Sequence, residues 1–541
     1  MKRTPSRPLG AQISHMLKHR GVDVIFGIPG VHNQEMYRGI EEAGITHFLA
    51  RHEQGAGFMA DGYARATGGF GVCYLITGPG MLNALTPLGQ AYSDNVSVLA
   101  LCSCLDNVVQ RKGQLHQMKD QEGAARTVCD WSETARDAQT AYGLVDRALQ
   151  DFARGDPRPK AVHVPIEVLG AQATAAPEAS ARGHVGFPDD ADIAKVLARL
   201  STAKKPMFIF GGGATALTQV DPTLGKRQID VLLDRFTPAT FCTFAGRGIV
   251  PQEYDLHFGP FMTRPESADV IAQADVVIAI GTQLAEVDIW RDHLGHSDGA
   301  LIVVNTSDEA LTTPVGASLA IKADAAHFIK DLLAHPHCQP IKSADWRADD
   351  VAQARKRWRA EVNAEFPNVL PVMDALRAAM PDDAMIYSDM TQFAYASKEC
   401  WDMPHPNHWH HPSGFGTLGY ALPASIGGAV ARRGLPTVCI HGDYGIQYTI
   451  AELATAVELG VSLPIIIWDN GKLGAIEDSM VSAQIAPNAV IQRNPDFLAL
   501  AKAFGAHAVQ PETLADIAPA LAAAFEADVP TVIRLTPDLV A

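Results

Sequence analysis

The sequence has few cysteines and no pair of the C-x-x-C type: eight cysteines are scattered over 541 residues. This usage is typical of a reducing compartment and excludes a disulfide-rich secreted scaffold. Long hydrophobic runs are also missing, since none approaches the ~20 apolar residues that a membrane-spanning helix needs. The basic N-terminal segment MKRTPSRPLG is followed by no apolar stretch, so we expect no secretory signal and a cytoplasmic location.

Positive charge is in short supply as well. Lysine and arginine number 44 against 60 aspartates and glutamates, which gives a formal net charge of -16. Nucleic acids and anionic membranes both require a positive surface, so neither is expected as the main partner. Apolar residues make up 47% of the chain, enough for several buried cores. At about 150 residues per domain, the length predicts three to four domains.

Short apolar runs rich in β-formers alternate with helical patterns along the whole chain. Continuous apolar strands that alternate with helices indicate parallel sheets covered on both faces, an α/β fold. The clearest predicted strands are Asp23–Phe26, Val72–Ile76, Val96–Leu101, Met207–Phe210, Val276–Ile280, Val438–Ile440 and Leu463–Trp468.

Two changes of composition divide the chain into three domains. Residues 171–190 are rich in Ala, Ser, Gly and Pro, and residues 336–372 begin with two prolines and continue into a charged stretch, DWRADDVAQARKRWRAEV. We interpret that stretch as a solvated connecting helix. The predicted domains are residues 1–172, 188–340 and 362–541.

The first and last domains show the same order of predicted elements: helix, strand, glycine turn, helix, strand. The glycine turns are Thr77-Gly78-Pro79-Gly80 in the first domain and Gly442-Asp443-Tyr444-Gly445 in the last. We therefore expect two related domains on either side of a third. Ligands of such open sheets bind at the carboxyl ends of the strands, where both turns fall.

The segment from Gly442 to Gly474 carries the strongest chemical pattern. Asp443 follows one predicted strand and Asn470 follows the next, so both side chains are expected at neighbouring strand tips. A carboxylate, an amide oxygen and a nearby backbone carbonyl form a set of hard oxygen ligands that suits Mg²⁺. The glycine turn at a helix N-terminus offers N–H groups to phosphates. The alternative is an ordinary strand–helix–strand unit with a capping aspartate.

The chain resembles the thiamine diphosphate enzymes of the acetolactate synthase, pyruvate decarboxylase and benzoylformate decarboxylase superfamily over essentially its whole length. The family motif, G-D-G followed after a helix and a strand by N-N, stands here as Gly442-Asp443-Tyr444 and Asp469-Asn470. The resemblance implies thiamine diphosphate and Mg²⁺ as cofactors, with Asp443, Asn470 and the backbone carbonyl of Lys472 as metal ligands. It also implies pyrimidine binding by the first domain, diphosphate binding by the third and a Rossmann-like middle domain.

Glu53 lies in HEQGAGFMADGYAR, between a strand-like segment and a predicted helix. Taken alone, a glutamate there is most often a favourable charge at a helix N-terminus. Its position resembles that of the family's activating glutamate, which shares a proton with the aminopyrimidine ring of the cofactor. The resemblance therefore implies that Glu53 is catalytic and contacts the cofactor.

The segment Ser413 to Pro423 resembles the part of the family that bends the cofactor. By position, Leu418 is implied to wedge beneath the bend and the Gly416 carbonyl to hold the 4′-amino group; the alternative for Leu418 is an ordinary core residue. Tyr444 replaces a small residue and must turn its ring away from the diphosphate. The remaining implied cofactor contacts are Pro29, Asn83, Gln392, Gly442, Tyr444 and Gly445.

Three polar residues are candidates for proton transfer to the substrate. His32 follows the turn Gly27-Ile28-Pro29-Gly30, which is expected to end near the reacting carbon. It could equally be a turn histidine with satisfied hydrogen bonds. His116 and Gln117 lie in GQLHQMKDQ, where the resemblance implies a polar active-site residue.

The resemblance implies that a 2-oxo acid is decarboxylated and that the resulting enamine is either protonated or transferred to a second carbonyl compound. Segments such as Glu286-Val287-Asp288-Ile289-Trp290 are more similar to acetolactate-synthase-like decarboxylases, one group of which acts on 5-guanidino-2-oxopentanoate. A guanidinium group needs a carboxylate, and Glu477 and Asp478 are candidates. The alternative is that both are solvated charges of the next helix.

Two weaker motifs remain. The histidines His405, His408, His410 and His411 suggest zinc, but their spacing is irregular and interrupted by prolines, so we expect them to line the active-site entrance instead. Gly211–Ala216 fits the dinucleotide pattern G-x-G-x-x-A, which is weak alone. FAD or ADP in the middle domain is possible but not favoured, and a dehydrogenase or a non-catalytic cofactor-binding protein are the alternatives from other classes.

The family architecture also predicts an assembly. The two ends of the cofactor bind to domains of different chains in relatives, so Glu53 of one subunit is expected to face Asp443 of another. The minimal active unit would then be a homodimer, or a homotetramer of two such pairs.

Overall fold

The computed structural model of the chain describes residues 6–106, 113–155, 157–179, 183, 186–217, 221–312, 316–340 and 345–540. Three six-stranded sheets follow one another along the chain, and every strand pair within them is parallel. All eight cysteines are buried free thiols. Within the described ranges, no helix has both the length and the apolar character needed to cross a bilayer.

The first sheet has the strand order β3-β2-β4-β5-β7-β6, and a small antiparallel pair, β1 with β8, joins the two ends of the domain. The strands are β1 Arg7–Pro8, β2 Val24–Gly27, β3 Thr46–Leu49, β4 Gly71–Leu75, β5 Val98–Cys104, β6 Trp131–Thr134, β7 Lys160–Pro165 and β8 Gln172–Ala173. The helices are α1 Leu9–His19, α2 Gln34–Tyr37, α3 Ile40–Ala43, α4 Glu53–Thr67, α5 Pro79–Asn83, α6 Leu85–Ser93, α7 Gln121–Arg126, α8 Ala138–Ala153 and α9 Ile166–Gly170.

The middle sheet has the order β11-β10-β9-β12-β13-β14. Its strands are β9 Pro206–Phe210, β10 Ala239–Cys242, β11 His257–Gly259, β12 Val276–Ile280, β13 Leu301–Asn305 and β14 Leu319–Lys322. The helices are α10 Asp190–Thr202, α11 Pro222–Phe236, α12 Ser267–Ile271, α13 Glu286–Ile289, α14 Asp308–Leu311 and α15 Ala325–Ala334. Numbered along the chain, its strands run 3-2-1-4-5-6, the Rossmann order, which confirms the predicted class of this domain.

The third sheet has the order β16-β15-β17-β18-β20-β19. Its strands are β15 Met385–Ser388, β16 Trp409–His410, β17 Thr437–Gly442, β18 Pro464–Trp468, β19 His507–Val509 and β20 Thr531–Leu535. Its helices, after the connecting helix α16 Ala348–Glu365, are α17 Val369–Ala379, α18 Gln392–Cys400, α19 Ala421–Ala431, α20 Glu452–Glu458, α21 Gly474–Ser482, α22 Phe497–Phe504 and α23 Ile517–Phe525.

The first and third sheets have the same topology. When the six strands of each are numbered along the chain, both read 2-1-3-4-6-5. The repeat of helix, strand and glycine turn that the sequence predicted is therefore a repeat of whole domains. The glycine turn of the first domain follows β4 and that of the third follows β17, the same position in the two sheets.

The connecting helix α16 corrects one prediction. It is a helix, as expected, but only one face is solvated, because Val351, Ala354, Trp358 and Val362 are buried. These four residues recur at helical spacing within a highly charged sequence. The indole of Trp358 is fully buried and packs against Phe258 and Phe261. The helix therefore fastens the middle domain to the third rather than merely spanning them.

The first and third domains of the chain pack directly on each other through α4 and α19. Glycines allow the two helix backbones to touch: a Cβ on Gly62 would lie 1.9 Å from the carbonyl oxygen of Ala424. In the reverse direction, a Cβ on Gly427 would lie 2.0 Å from the carbonyl oxygen of Met59. Any larger side chain at either glycine would force the helices apart.

Candidate active site

The first part of the site lies at the carboxyl edge of the first sheet, where Glu53 begins α4. The helix is capped by His52, whose Nδ1 accepts a hydrogen bond from the N–H of Gln54 at 3.2 Å. The Glu53 carboxylate accepts a hydrogen bond from the Asn83 amide at 3.0 Å. A Cβ on Gly80 would lie 3.2 Å from the other carboxylate oxygen of Glu53. The structure thus brings together two predicted site residues, Glu53 and Asn83.

Two predicted histidines also meet at this edge. The rings of His32 and His116 lie 4.7 Å apart, centroid to centroid, in an edge-to-face arrangement. The Nδ1 atom of each is buried and has no hydrogen-bond partner among the described residues. Burial, and then the neighbouring His116, lower the pKa of His32. Both residues are half-buried, and in each ring the nitrogen without a partner in the described part of the chain is the buried Nδ1.

The third predicted proton-transfer residue is not part of this pair. Gln117 is exposed, and its side-chain oxygen accepts a hydrogen bond from the N–H of Gly113 within its own loop. Residues 107–112 of this loop lie outside the described ranges.

Buried contacts position the turns that carry these residues. Asn33 is fully buried, and its amide bonds to the N–H of Gly30 at 2.7 Å and the carbonyl of Ile28 at 3.1 Å, which closes the turn around Pro29. Gly78 has a φ of +70°, and a Cβ there would lie 2.4 Å from the carbonyl oxygen of His116. The turn after β4 can approach the histidine loop only because this residue is glycine.

The second part of the site lies at the carboxyl edge of the third sheet. The N–H of Asp443 bonds to the carbonyl of Trp468, so the ends of β17 and β18 are adjacent. The Asp443 carboxylate is 2% exposed and accepts hydrogen bonds from the N–H groups of Tyr444 and Gly471 at 2.9 and 2.8 Å. Burial raises the pKa of this carboxyl group, and the adjacent Asp469 raises it further. A bound cation would relieve this unfavourable environment.

Asn470 and Gln392, both predicted site residues, are in contact. The Asn470 amide donates a hydrogen bond to the side-chain oxygen of Gln392 at 3.0 Å, while its own oxygen lies 3.3 Å from the N–H of Lys472. The carboxylate of Asp443, the amide of Asn470 and the carbonyl of Lys472 are thus carried on adjacent loops. These hard oxygen donors fit a small divalent cation such as Mg²⁺.

Two residues of the third domain account for the departure at Asp469. The Asn494 amide donates hydrogen bonds to both Asp443 and Asp469 at 2.7 Å. The guanidinium group of Arg534 pairs with Asp469 at 2.6 Å. Neither Asn494 nor Arg534 is among the residues predicted from the sequence. The sequence offers one indication of such partners: Asp469 adds a second carboxylate near the predicted metal ligand Asp443, and that charge needs a partner.

Glycines form a shallow cradle beside this site. A Cβ on Gly445 would lie 3.0 Å from Asp389 Oδ1, and one on Gly442 would lie 3.1 Å from the Thr391 side chain. The ring of Tyr444 packs against the ring of Tyr448, with centroids 5.5 Å apart. The phenol of Tyr444 is therefore directed toward another side chain of the same turn, which fits a diphosphate near the backbone N–H groups.

The segment with Gly416 and Leu418 is held by the first domain of the same chain. The N–H of Gly414 bonds to Asp94 at 2.9 Å, and the hydroxyl of Thr417 bonds to Gln90 at 3.2 Å. Gly416 has a φ of +68°, which favours glycine. Leu418 is half-buried rather than buried, so its side chain retains a surface for a ligand.

The four histidines of the zinc alternative do not form one cluster: the rings of His405 and His408 lie 5.4 Å apart, and the other two have partners elsewhere. His410 packs against Tyr387, and His411 bonds through Nδ1 to the Ser388 hydroxyl at 3.0 Å. Both are buried, so they do not line an open entrance. His408 bonds to the carbonyl of Pro406. Among the residues that the structure describes, no group of three or more His, Cys, Asp or Glu side chains is arranged to hold a metal ion.

The glycine motif of the middle domain has a packing explanation. A Cβ on Gly211 would lie 2.3 Å from the carbonyl oxygen of Gly281, and one on Gly213 would lie 3.0 Å from the Cα of Gly281. The glycines at the end of β9 are thus needed for contact with the end of β12. This contact is a packing reason for Gly211 and Gly213 that does not depend on a nucleotide.

The candidate carboxylates for a cationic substrate lie at the start of α21, beside the metal loop. Glu477 accepts a hydrogen bond from the side chain of Lys472 at 2.5 Å, and Asp478 accepts one from Gln392 at 3.2 Å. Each contacts a predicted cofactor-site residue; Glu477 is half-buried and Asp478 is exposed.

Comparison with known proteins agrees with this geometry. Residues 7–124, 193–332 and 389–535 match the N-terminal TPP binding, central and C-terminal TPP binding domains of thiamine pyrophosphate enzymes. The chain is 37% identical over 536 residues to the "Probable 2-ketoarginine decarboxylase AruI" of Pseudomonas aeruginosa, covering 97% of this chain and 93% of that protein. It is 28% identical over 506 residues to the acetolactate synthase isozyme 2 large subunit of Escherichia coli, covering 92% and 90%. The chain therefore belongs to the thiamine pyrophosphate (thiamine diphosphate) enzyme family.

Proposed function

We propose that the protein catalyses the Mg²⁺-dependent, non-oxidative decarboxylation of a 2-oxo acid. The observation that carries this proposal is the pair of sites at equivalent sheet edges: an acid with its hydrogen-bond donor in the first domain, and an oxygen-rich loop pair in the third. Thiamine diphosphate, when bound, supplies a nucleophilic carbon and an electron sink for decarboxylation. The two sites match the two ends of this cofactor.

The residues of the first domain act on protons. Glu53, oriented by Asn83, would share a proton with the pyrimidine ring. The position of His32 and His116 at this sheet edge, with their rings 4.7 Å apart, suits them to deliver a proton to the carbon that has lost carbon dioxide. A proton donor at this position favours release of an aldehyde over transfer to a second carbonyl compound.

The residues of the third domain hold the charged end of the cofactor. Asp443, Asn470 and the carbonyl of Lys472 would bind Mg²⁺, and the metal would neutralise the diphosphate. The backbone of Gly442–Gly445 and the side chain of Gln392 would line the diphosphate, with Leu418 beneath the bend.

We further propose a substrate with a cationic side chain, such as a guanidino 2-oxo acid. Glu477 and Asp478 lie beside the metal loop, and a guanidinium group pairs well with carboxylates. The relative at 37% identity is named for 2-ketoarginine, which has this chemistry. The similarity to acetolactate synthases, at lower identity, supports the alternative reaction, in which the enamine is transferred to a second carbonyl compound.

The functional unit proposed is a homodimer, or a tetramer of dimers, with each site formed by two chains. Glu53 and Asp443 are each held by residues of their own domain. Exposed apolar side chains flank both halves, and a partner chain would cover them. They are Val31 and Leu115 in the first domain, and Ile476, Val481, Ile485 and Ile491 in the third.

The test is a panel of 2-oxo acids with separate assays for carbon dioxide and aldehyde, run with Mg²⁺ and thiamine diphosphate. We expect a guanidino 2-oxo acid to be used best and Glu53→Gln to abolish turnover. Glu477→Gln and Asp478→Asn should raise KM for the guanidino acid about tenfold, the effect of losing a charge-assisted hydrogen bond, and leave KM for an aliphatic 2-oxo acid unchanged. Carbon dioxide release without aldehyde would favour the transferase alternative, and no release from any acid would refute the proposal.

A further inference from the structure

A buried carboxylate of the third domain reaches the residues that immediately precede Glu53. Glu452, the first residue of α20, is 1% exposed. Its carboxylate accepts hydrogen bonds from the backbone N–H of Arg51, at 3.0 and 3.1 Å to its two oxygens, and from the N–H of His52 at 3.0 Å. These bonds join the third domain to the first within one chain.

Residues of both domains pack closely around the Glu452 carboxylate. On the third domain, the hydroxyl of Thr455 donates a hydrogen bond to Glu452 at 2.7 Å. On the first domain, a Cβ on Gly55 would lie 2.1 Å from a carboxylate oxygen of Glu452. Glycine at position 55 thus makes room for the carboxylate against the first turn of α4. Burial raises the pKa of Glu452, while the bonds from Thr455, Arg51 and His52 lower it.

The two N–H groups that bond to Glu452 lie where the chain enters helix α4. Backbone N–H groups at a helix N-terminus have no partners within the helix, and an acceptor that binds them fixes the entry of the chain into the helix. Here the helix is α4, His52 is its N-cap and Glu53 is its first residue. The bonds to Arg51 and His52 therefore fix the backbone from which the Glu53 side chain projects.

We propose that Glu452 is a positioning residue for Glu53. It does not touch the reacting atoms; it holds the start of α4 so that the Glu53 carboxylate stays beside Asn83. Glu452 lies on the helix that follows the Gly442–Gly445 turn, so the chain connects its own diphosphate turn to its own activating acid. This inference depends on the proposed role of Glu53.

The chain offers a matched control. Glu458 is at the other end of α20 and pairs with the side chain of the same Arg51, but it is exposed, and its carboxylate accepts no backbone hydrogen bond from the residues that the structure describes. Glu458→Gln therefore removes one carboxylate from the same helix and the same arginine while leaving the start of α4 held.

The experiment compares Glu452→Ala, Glu452→Gln, Thr455→Val and Glu458→Gln in the full-length protein loaded with thiamine diphosphate and Mg²⁺. The readouts are kcat and KM for the best 2-oxo acid, cofactor affinity, and the exchange rate of the C2 proton of bound thiamine diphosphate, followed by NMR. We expect Glu452→Ala to lower kcat and proton exchange together by about tenfold or more, as loss of a supporting contact in a site does, with KM changed less than twofold. Glu452→Gln, which keeps one acceptor oxygen, should fall between Ala and wild type, and Glu458→Gln should match wild type.

Proton exchange separates this inference from the proposed function. If Glu53→Gln abolishes exchange while Glu452→Ala and Glu452→Gln exchange at the wild-type rate, the positioning role is refuted and the proposed function stands. If Glu53→Gln itself exchanges normally, the proposed function fails. If Glu452→Ala does not fold, Thr455→Val is the deciding variant, because it removes only the hydroxyl that bonds to the Glu452 carboxylate. Slower C2 proton exchange in Thr455→Val would support the positioning role of Glu452, and an unchanged rate would overturn it.

Discussion

The imidazole rings of His32 and His116 lie 4.7 Å apart, although 84 residues separate them in the chain. Two positive charges at this distance in a partly buried site would repel strongly, which disfavours charging both rings at once. Burial and the neighbouring ring keep the pKa of His32 below its usual 6.5. The pair is thus suited to pass a single proton rather than to provide fixed charge.

Replacing either ring should slow the step that delivers a proton to the substrate. We expect His32→Asn or His116→Asn to lower kcat about 100-fold, a typical contribution of a positioned proton-transfer group. Exchange of the cofactor C2 proton, the step proposed for Glu53, should change little. The exposed His19→Asn is the control and should keep wild-type kcat. Equal loss of kcat and C2 proton exchange would contradict a separate role for the histidines.

The pH dependence of kcat gives a signed test of the same pair. A histidine that delivers a proton must first carry it, so kcat should fall as the pH rises through the lowered pKa of His32. In His116→Asn the electrostatic effect of the neighbouring ring is gone, so the pKa of His32 should rise and this fall in kcat should move to higher pH. Burial remains, so its midpoint should stay below pH 6.5. A fall in kcat at the wild-type position in His116→Asn would show that the rings do not interact.

Asn494 should support metal binding although it is not itself a predicted ligand. Its amide joins the carboxylates of Asp443 and Asp469, and without it those groups would repel each other across a buried site. We expect Asn494→Ala to weaken Mg²⁺ and thiamine diphosphate binding about tenfold, as loss of a residue that orients a ligand does. Tryptophan fluorescence during titration measures this, and the exposed neighbour Arg493→Gln is the control. Wild-type affinity in Asn494→Ala would refute the prediction.

Two glycines in helices should respond in opposite directions to alanine. Gly62→Ala would place a Cβ 1.9 Å from the carbonyl oxygen of Ala424 and should lower stability by about 3 kcal/mol, since two helix backbones must separate. Gly143 lies inside α8, and no heavy atom of the described part of the chain is within 4 Å of a Cβ added there, so Gly143→Ala should raise stability by roughly 0.5–1 kcal/mol. Thermal denaturation midpoints at one scan rate compare them. A Gly62→Ala protein as stable as wild type would mean that α4 and α19 are not in contact.

Short sequence patterns predict the strands and turns of this protein, because these depend mainly on residues that are close together in the chain. Strand runs such as that before Gly442 are buried on both faces, and glycine turns follow them, so the tips that carry Asp443 and Asn470 could be placed from the sequence. The partner of Asp443 could not, because Asn494 is 51 residues further along and no spacing rule connects them. The contact of Glu452 with Arg51 spans 401 residues and is set by how two domains dock. The burial of Trp358 was not predicted for another reason. Its helix has only a narrow apolar face, and most residues around that face are charged.

Mixing two inactive variants tests whether each site is formed by two chains. Glu53→Gln inactivates the first-domain half of a site and Asp443→Asn the third-domain half, so a dimer of one variant alone has two damaged sites. In a mixed dimer with shared sites, one site receives both substitutions and the other receives neither. Co-expression with separate affinity tags should therefore restore about a quarter of wild-type activity, because half of the dimers are mixed and each holds one intact site. If every site lay within one chain, each would carry one of the two substitutions and no activity would return, and tandem purification of the mixed species would show whether the dimers had formed.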